Sequence, residues 1–310
     1  MSELKTVSAA PHLRSSDSTP KIMGLVILAL LPATLVGVYQ FKQAGLQTLM
    51  VCLLSSYIFE LLFQRIMKQK ATVDDLSALL TGLLLGLNMP PTAPIWVSII
   101  GSFFAIVVVK QFFGGLGHNF VNPALGGRAF LLIAYTDIMT TFTVDSVSTA
   151  TPLGMIKEGG EFSEILSLAL GLIPGSLGEV SALALLAGGI FLIYKKVITF
   201  HIPVFYIGTV ILMVVLFGGY GFDLNFILIH VLSGGLMLGA FFMATDYVTS
   251  PATTTGKIIM GVGCGVLTAV IRLFGGYPEG VSFAILIMNL CVPLIDKFFK
   301  PKRFGGGTHE

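Results

Sequence analysis

Apolar residues run along most of this chain in blocks about as long as a bilayer is thick, separated by short polar stretches. A membrane-crossing helix needs about 20 mainly apolar residues, fewer where it is half-buried in protein. Ten blocks qualify: Ile22–Tyr39, Leu46–Phe63, Leu76–Met89, Ile95–Val109, Ala124–Thr143, Val180–Tyr194, Ile202–Phe217, Phe226–Ala244, Ile258–Phe274 and Val281–Ile295. The pattern predicts an all-α integral membrane protein with ten transmembrane helices. The third block is short and ends in Asn88-Met89-Pro90-Pro91. It is expected to stop part-way across, as half-helices do in transporter-like folds. Residues 1–21 are polar and carry no apolar core or cleavage site of a signal peptide. They are read as a cytoplasmic N-terminal tail, and residues 298–310 as a C-terminal one.

Two short motifs occur twice in the same order. Leu79-Leu80-Thr81-Gly82-Leu83-Leu84-Leu85-Gly86 resembles Leu232-Ser233-Gly234-Gly235-Leu236-Met237-Leu238-Gly239. Lys110-Gln111-Phe112-Phe113-Gly114-Gly115 resembles Ile271-Arg272-Leu273-Phe274-Gly275-Gly276. The matches pair the third block with the eighth and the fourth with the ninth. Residues 22–143 and 180–297 then form two five-helix repeats, joined by a loop over 144–179. An odd number of helices per half makes the halves run oppositely through the membrane, and such folds build their sites where the halves meet.

Charge sets the orientation. Lys5, Arg14, Lys21, Arg65, Lys68, Lys70, Lys110, Arg128, Lys195, Lys196, Lys257, Lys297, Lys300, Lys302 and Arg303 share one side if both termini are cytoplasmic. Lys42 and Lys157 are the exceptions. The positive-inside rule therefore places the 144–179 loop outside the cell. The location predicted is a cell membrane, crossed many times.

Composition narrows the chemistry. The chain has 310 residues, 55% of them hydrophobic and 11% charged, with a mean hydropathy of +0.90. Soluble domains carry about 25% charged residues, so lipid is the expected surroundings. A net charge of +2 gives no footprint for nucleic acid. Cys52, Cys264 and Cys291 stand far apart inside apolar blocks. The five histidines show no ligand spacing either, so neither a metal nor a disulfide framework is expected. The fingerprint Gly-x-Gly-x-x-Gly of dinucleotide sites is missing, so NAD binding by this chain is not expected.

The polar loop carries the most specific signal. It reads Val144-Asp145-Ser146-Val147-Ser148-Thr149-Ala150-Thr151-Pro152-Leu153. A residue before proline is biased to an extended or turn conformation, so the Thr151 hydroxyl is expected to stand off the backbone and be accessible. Asp145, Ser148, Ala150 and Thr151 together resemble the flavinylation signature of the D subunit of Rnf complexes and of its kin, the B subunit of the sodium-pumping NADH:quinone oxidoreductase. Thr149 stands where the strictest form has Gly. The resemblance covers nearly the whole chain. It implies an FMN joined by its phosphate to Thr151, attached outside the cytoplasm by a separate flavin transferase. In that chemistry the hydroxyl attacks a flavin-dinucleotide phosphate and AMP leaves. It further implies a subunit of an ion-translocating (Na⁺ or H⁺) ferredoxin:NAD⁺ oxidoreductase, relaying electrons beside sister subunits A, B, C, E and G.

A near-copy, Asp246-Tyr247-Val248-Thr249-Ser250-Pro251-Ala252-Thr253, falls on the inner side by charge. It is read as a capping or re-entrant segment of the inner vestibule. The stretch Gly114-Gly115-Leu116-Gly117-His118-Asn119-Phe120-Val121-Asn122-Pro123-Ala124 resembles a glycine–asparagine run of the same family. That likeness implies a second, non-covalent, riboflavin-like flavin near Asn119 and Asn122. A plain turn between helices is the other reading. Ionisable residues in apolar blocks usually face a cavity or a partner. Glu60 and Asp246 are candidates for a cation path, with pairing of Glu60 to Arg65 as the simpler role. Two readings of other classes stand beside the flavoprotein: a flavin-free solute channel or transporter, and a structural subunit of a membrane complex.

Overall fold

A computed structural model describes residues 17–144, 147–149, 151–157, 167–168, 175–179, 181–277 and 279–300. Asp145 and the acidic residues Glu158, Glu161 and Glu164 lie outside them. Among the described residues the regular structure is helical apart from one small ribbon. In chain order come α1 (Thr19–Ile66), α2 (Ser77–Leu87), α3 (Ile95–Gln111), α4 (Pro123–Ala134), α5 (Thr136–Thr140), α6 (Pro152–Lys157), α7 (Ala182–Tyr194), α8 (His201–Phe217), α9 (Leu224–Leu232), α10 (Leu236–Met243), α11 (Thr254–Phe274) and α12 (Val281–Phe298). Between α5 and α6, β1 (Phe142–Val144) and β2 (Val147–Thr149) pair antiparallel, with Thr143 opposite Ser148.

α1 holds the first two apolar blocks. Its 48 residues would reach about 72 Å if straight, more than twice the thickness of a bilayer core. Helical geometry fails at Lys42 (φ 51°, ψ −131°). A Cβ on Gly45 would lie 3.6 Å from the Gly37 carbonyl oxygen, whereas eight helical residues rise about 12 Å. The chain therefore turns back at Lys42, and α1 is a hairpin of two arms, 19–41 and 43–66. α2 packs on the second arm at Gly82 and Gly86, and α7 packs on the first where Gly188 meets Ala29.

Three helices, α1, α11 and α12, are long and apolar enough to cross a membrane by length and composition, and α9 with α10 makes a fourth if the bent pair is one span. α2, α3, α4, α7 and α8 are shorter apolar helices. Each of the ten sequence blocks thus meets an apolar helical element, and the protein is a multi-pass membrane protein. α2 stops part-way as expected: 11 residues rise about 16 Å, and its cap, Asn88, is buried.

Two blocks depart from the expected single helices. The fifth ends at Ala134, where Tyr135 leaves helical geometry (φ −136°, ψ 52°), and continues as α5 and β1. The eighth breaks at Ser233-Gly234-Gly235, and α9 and α10 are bent by 57°. Gly234 (φ 65°) and Gly235 (φ 68°) both take the left-handed region, which costs glycine nothing. Of the two internally matched octapeptides, then, one is regular helix and the other straddles a break. The second pair of motifs ends helices in both copies, with turns at Gly114-Gly115 and at Gly275.

The molecule is apolar outside and partly polar inside. Leu28, Leu35, Ile190, Leu212, Leu216, Leu290 and Leu294 are exposed, while Glu60, Asn88, Lys110, Arg128, Glu179, Arg272 and Asn289 are buried. This inverts the usual arrangement of a soluble core and suits a lipid solvent. Lys110 and Arg128, counted above among loop charges, sit inside α3 and α4 and bind buried partners. They carry no weight for orientation, because the positive-inside rule counts loop charges.

A prediction follows from the α1–α7 contact. A side chain at Gly188 would overlap the Ala29 carbonyl, whereas among the described residues nothing stands within 4 Å of a Cβ at Gly208. Gly188→Val is expected to destabilise the detergent-solubilised protein by about 1–3 kcal/mol, and Gly208→Ala to leave thermal unfolding unchanged to within about 1 kcal/mol. Equal unfolding temperatures for the two variants would contradict this packing.

Candidate functional site

Two cavities sit at opposite ends of α4. The first has an empty volume of about 730 Å³, part of it open to the surroundings. Asn119, Asn122, Ser77, Thr81, Lys110, Thr245 and Asp246 supply its polar wall, and Phe241, Phe242 and Tyr247 its aromatic one. Two stretches of wider π-helical winding, Phe104–Gln111 and Gly239–Met243, deliver Lys110 and the two phenylalanines to it. Such windings are rare and occur often at functional sites.

Several polar groups of that wall have a local reason to be there. Asn122 caps α4: its Oδ1 accepts the N–H groups of Ala124 (3.0 Å) and Leu125 (3.3 Å), and Pro123 follows at the first helical position. Its Nδ2 donates to the Met243 carbonyl (3.4 Å), and its own N–H donates to Asn289 Oδ1 (3.1 Å). Asn119 Nδ2 donates to the Val121 carbonyl (3.0 Å). Both amides line the cavity, but that of Asn122 is committed to the frame on both edges. Thr249 Oγ1 donates to Asp246 Oδ2 (3.0 Å), and Thr253 caps α11 by accepting from Gly256 N–H (3.1 Å). The near-copy of the flavinylation motif is therefore a helix-capping segment on the wall of this cavity.

Below that wall lies a closed ion pair. Lys110 Nζ donates to Glu60 Oε2 and to Ser77 Oγ, each at 2.6 Å, and Gln64 Nε2 approaches Glu60 Oε1 at 3.4 Å. Glu60 is 0% exposed and Lys110 1%. The partner of Glu60 is a lysine 50 residues away, not the expected Arg65. Glu60 and Asp246 are not joined directly; Lys110, which bonds Glu60, lines the first cavity together with Asp246.

The second cavity, with an empty volume of about 670 Å³, is lined by Thr151 and Gly154 with Phe142, Tyr277, Glu279 and Phe283 among others. Thr151 is 8% exposed, not the accessible loop residue expected. The reason is local. Pro152 begins α6, and the Thr151 hydroxyl accepts the Gly154 N–H (3.2 Å), so the residue folds in as a helix cap. Its side chain borders the cavity instead of bulk solvent. Ser148 enters through the backbone of β2.

Between the cavities runs a buried polar layer; Arg272 and His230 stand out in the sequence as ionisable residues of apolar blocks, but their partners, and the places of Arg128, Asn88 and Glu179, do not. Arg128 Nη1 donates to Asn88 Oδ1 (2.7 Å), and its Nη2 pairs with Glu279 on the wall of the second cavity. Asn88 Nδ2 donates to the Leu84 carbonyl (2.7 Å), and Leu84 lines the first cavity. Arg272 closes the α9–α10 break. It donates to the carbonyls of His230 (2.5 Å), Gly234 (3.0 Å) and Ser233 (3.2 Å), and its Nε donates to that of Glu279 (2.9 Å). Residues 175–179 close the end of α2: Gly178 N–H donates to the Leu87 carbonyl (2.6 Å) and Leu177 N–H to that of Met89 (3.2 Å). Arg128 stands inside the fifth apolar block, which was the available signal for it, whereas Lys110 falls just past the end of the fourth; both were counted with the charges that flank the link between those blocks.

Similarity to known proteins extends over the same elements. A model of the NQR2, RnfD, RnfE family matches residues 6–305. A protein of Acetobacterium woodii, named as the D subunit of a Na⁺-translocating ferredoxin:NAD⁺ oxidoreductase complex, is 48% identical, covering 98% of this chain and 97% of the relative. One of Clostridium ljungdahlii, named as the D subunit of a proton-translocating ferredoxin:NAD⁺ oxidoreductase complex, is 44% identical over 97% and 96%. One of Escherichia coli O81, named as the D subunit of an ion-translocating oxidoreductase complex, is 35% identical over 96% and 98%.

The Lys110–Glu60 pair gives a test of the site. Lys110→Met strands a buried carboxylate and is expected to cost about 3–5 kcal/mol, while Lys110→Met with Glu60→Gln regains most of it. Heating with a thiol-reactive dye reads this out, because Cys52 and Cys264 are buried and react on unfolding. A single variant as stable as the double would mean that the two charges are not paired.

Proposed function

The chain belongs to the NQR2, RnfD, RnfE family, and from that membership we propose that it is the membrane subunit of an ion-translocating ferredoxin:NAD⁺ oxidoreductase complex. The observation that carries the reading is the end-to-end likeness to relatives that are each named as the D subunit of an ion-translocating oxidoreductase complex. The ion is Na⁺ or H⁺, and the relatives' names divide on that point. Sister subunits A, B, C, E and G complete the assembly in a prokaryotic inner membrane.

In this reading Thr151 carries FMN through a phosphoester, set by a flavin transferase on the extracytoplasmic side, and both termini are cytoplasmic. The fit is good. Thr151 opens onto a cavity within the range of about 300–1,000 Å³ typical of small-molecule and cofactor sites. Phe142, Tyr277 and Phe283 offer flat apolar surface for an isoalloxazine ring, and Glu279 offers one polar contact. Asp145 and Ser148 complete the motif that marks the loop for attachment. The bound flavin would supply the one- and two-electron chemistry. The chain supplies position, a dry frame and charge.

The first cavity suits a second, non-covalent flavin beside Asn119 and Asn122, with Lys110 as the nearby cation. Pro123 borders the first cavity and Leu132 the second, and nine residues of α4 rise about 14 Å. Two redox stations at those places would let electrons cross the apolar slab in steps. Glu60 and Asp246 remain the candidates for a cation path on the inner side.

Intact mass of the chain, purified from a host that has the transferase, tests the attachment. The expected result is the sequence mass plus one FMN ester, with flavin fluorescence in the denatured band. Thr151→Val is expected to lose both. A colourless wild-type chain would overturn the reading and favour a flavin-free channel. Unchanged electron transfer in Thr151→Val would leave the chain a structural subunit.

A further inference from the structure

Glu179 has no place in the reading so far, and its position is unusual. It sits in the turn that closes the end of α2 and is 5% exposed. Its Oε2 accepts the Ser176 N–H at 3.4 Å, and its Oε1 has no hydrogen-bond partner among the described residues. A Cβ on Gly235 would lie 3.3 Å from that oxygen and 4.0 Å from Arg128 Nη1. The unpartnered oxygen is thus aimed at the α9–α10 break, with Arg128 just across it.

Among the described residues, the charged and titratable groups around Glu179 come from four other segments. Arg128 on α4 is already paired with Glu279, which precedes α12, and Arg272 on α11 is turned to the carbonyls of the break. His230 on α9 lies beyond Arg272 and meets it through its backbone carbonyl. Two carboxyls therefore face Arg128 and only one is bonded to it. A buried carboxylate with an unpaired oxygen is costly, and the cheapest relief is a proton. Burial first, and Glu279 second, push the Glu179 carboxyl up to about 8, with Arg128 opposing.

We propose that Glu179 is a proton-binding carboxyl of the protein interior, loaded from the second cavity by way of Glu279, with Arg128 as the cation that the two carboxyls share. A proton from water in that cavity passes to the Glu279 carboxylate and from it to Glu179 Oε1, and it returns by the same route on release; no bond other than O–H changes and nothing is oxidised. When Glu179 is ionised it competes for Arg128, and when it is protonated Glu279 holds the arginine alone. The use of this proton in ion translocation rests on the function proposed above. The protonation itself does not.

Infrared spectroscopy of the full-length chain in lipid nanodiscs, titrated with acid and base, tests the proposal. The expected result is a carboxylic-acid C=O band that persists well above the ordinary glutamate range of about 4.3 and disappears near the value set by burial. Glu179→Gln is expected to abolish it. Glu179→Asp is expected to shift its frequency, and Glu279→Gln to move its midpoint to lower pH by removing the like charge and freeing Arg128. A wild-type chain with no such band, or a band that is identical in wild type and Glu179→Gln, overturns the proposal; any part common to both belongs to another buried carboxyl. The mass of the same samples reports the Thr151 adduct separately, so a missing adduct sinks the flavin reading and leaves the proton test standing.

Discussion

Where a helix is interrupted inside an apolar slab, its backbone N–H and C=O groups must find partners within the protein, since water cannot supply them. The fold depends on meeting that demand twice. At the α9–α10 break one guanidinium, that of Arg272, binds three carbonyls of residues 230–234. At the end of α2 the demand is met by chain: two N–H groups of residues 177–178 reach the carbonyls of Leu87 and Met89. The two repairs are neighbours, because Glu179, next to the second, lies against Gly235 of the first. Charge is thus drawn into the middle of the molecule by the backbone's need, before any function is considered.

The buried charges then divide into two kinds. Lys110 and Glu60 satisfy each other at 2.6 Å, with Ser77 and Gln64 as further partners. Such a pair is stable in place but intolerant of losing one member. Arg128, in contrast, stands between two carboxyls and bonds one. The first arrangement has one good state. The second has two that differ by a proton and by the direction in which one guanidinium is held, which is what a bistable element requires.

Much of the fold could be read from the chain because lipid imposes a coarse rule: apolar runs of fixed length become helices. All ten runs were legible in that way, and so was the short third one, since Pro90-Pro91 forbids its continuation. The break in the eighth run was written as Ser233-Gly234-Gly235 but was masked by its likeness to Leu79–Gly86, which is uninterrupted helix. Thr151, Asn119, Asn122 and Asp246 were all legible as residues, and each lines one of the two cavities. Their conformations were not. The burial of Thr151 follows from α6, a six-residue helix too short to show in periodicity. The partners of Glu60 and Arg128 lie 50 and 151 residues away, and nothing in local sequence points across such distances. Glu179 was invisible for the same reason: it reads as one more acid in an acidic loop.

On the proposed function, ion chemistry and electron chemistry come within reach of one another. Glu279 is shared: it borders the cavity of Thr151 and holds Arg128, which faces Glu179. A negative charge added in that cavity would repel Glu279 and attract Arg128. Both effects change the affinity of Glu179 for a proton, and by linkage a proton on Glu179 changes how well the cavity tolerates that charge by the same free energy. Low dielectric makes such terms large, since charges a few ångströms apart interact far more strongly there than in water. No large motion is needed for this coupling. Its requirements are one arginine with two claimants, one of which lines a cavity, and a protein interior that excludes the screening solvent.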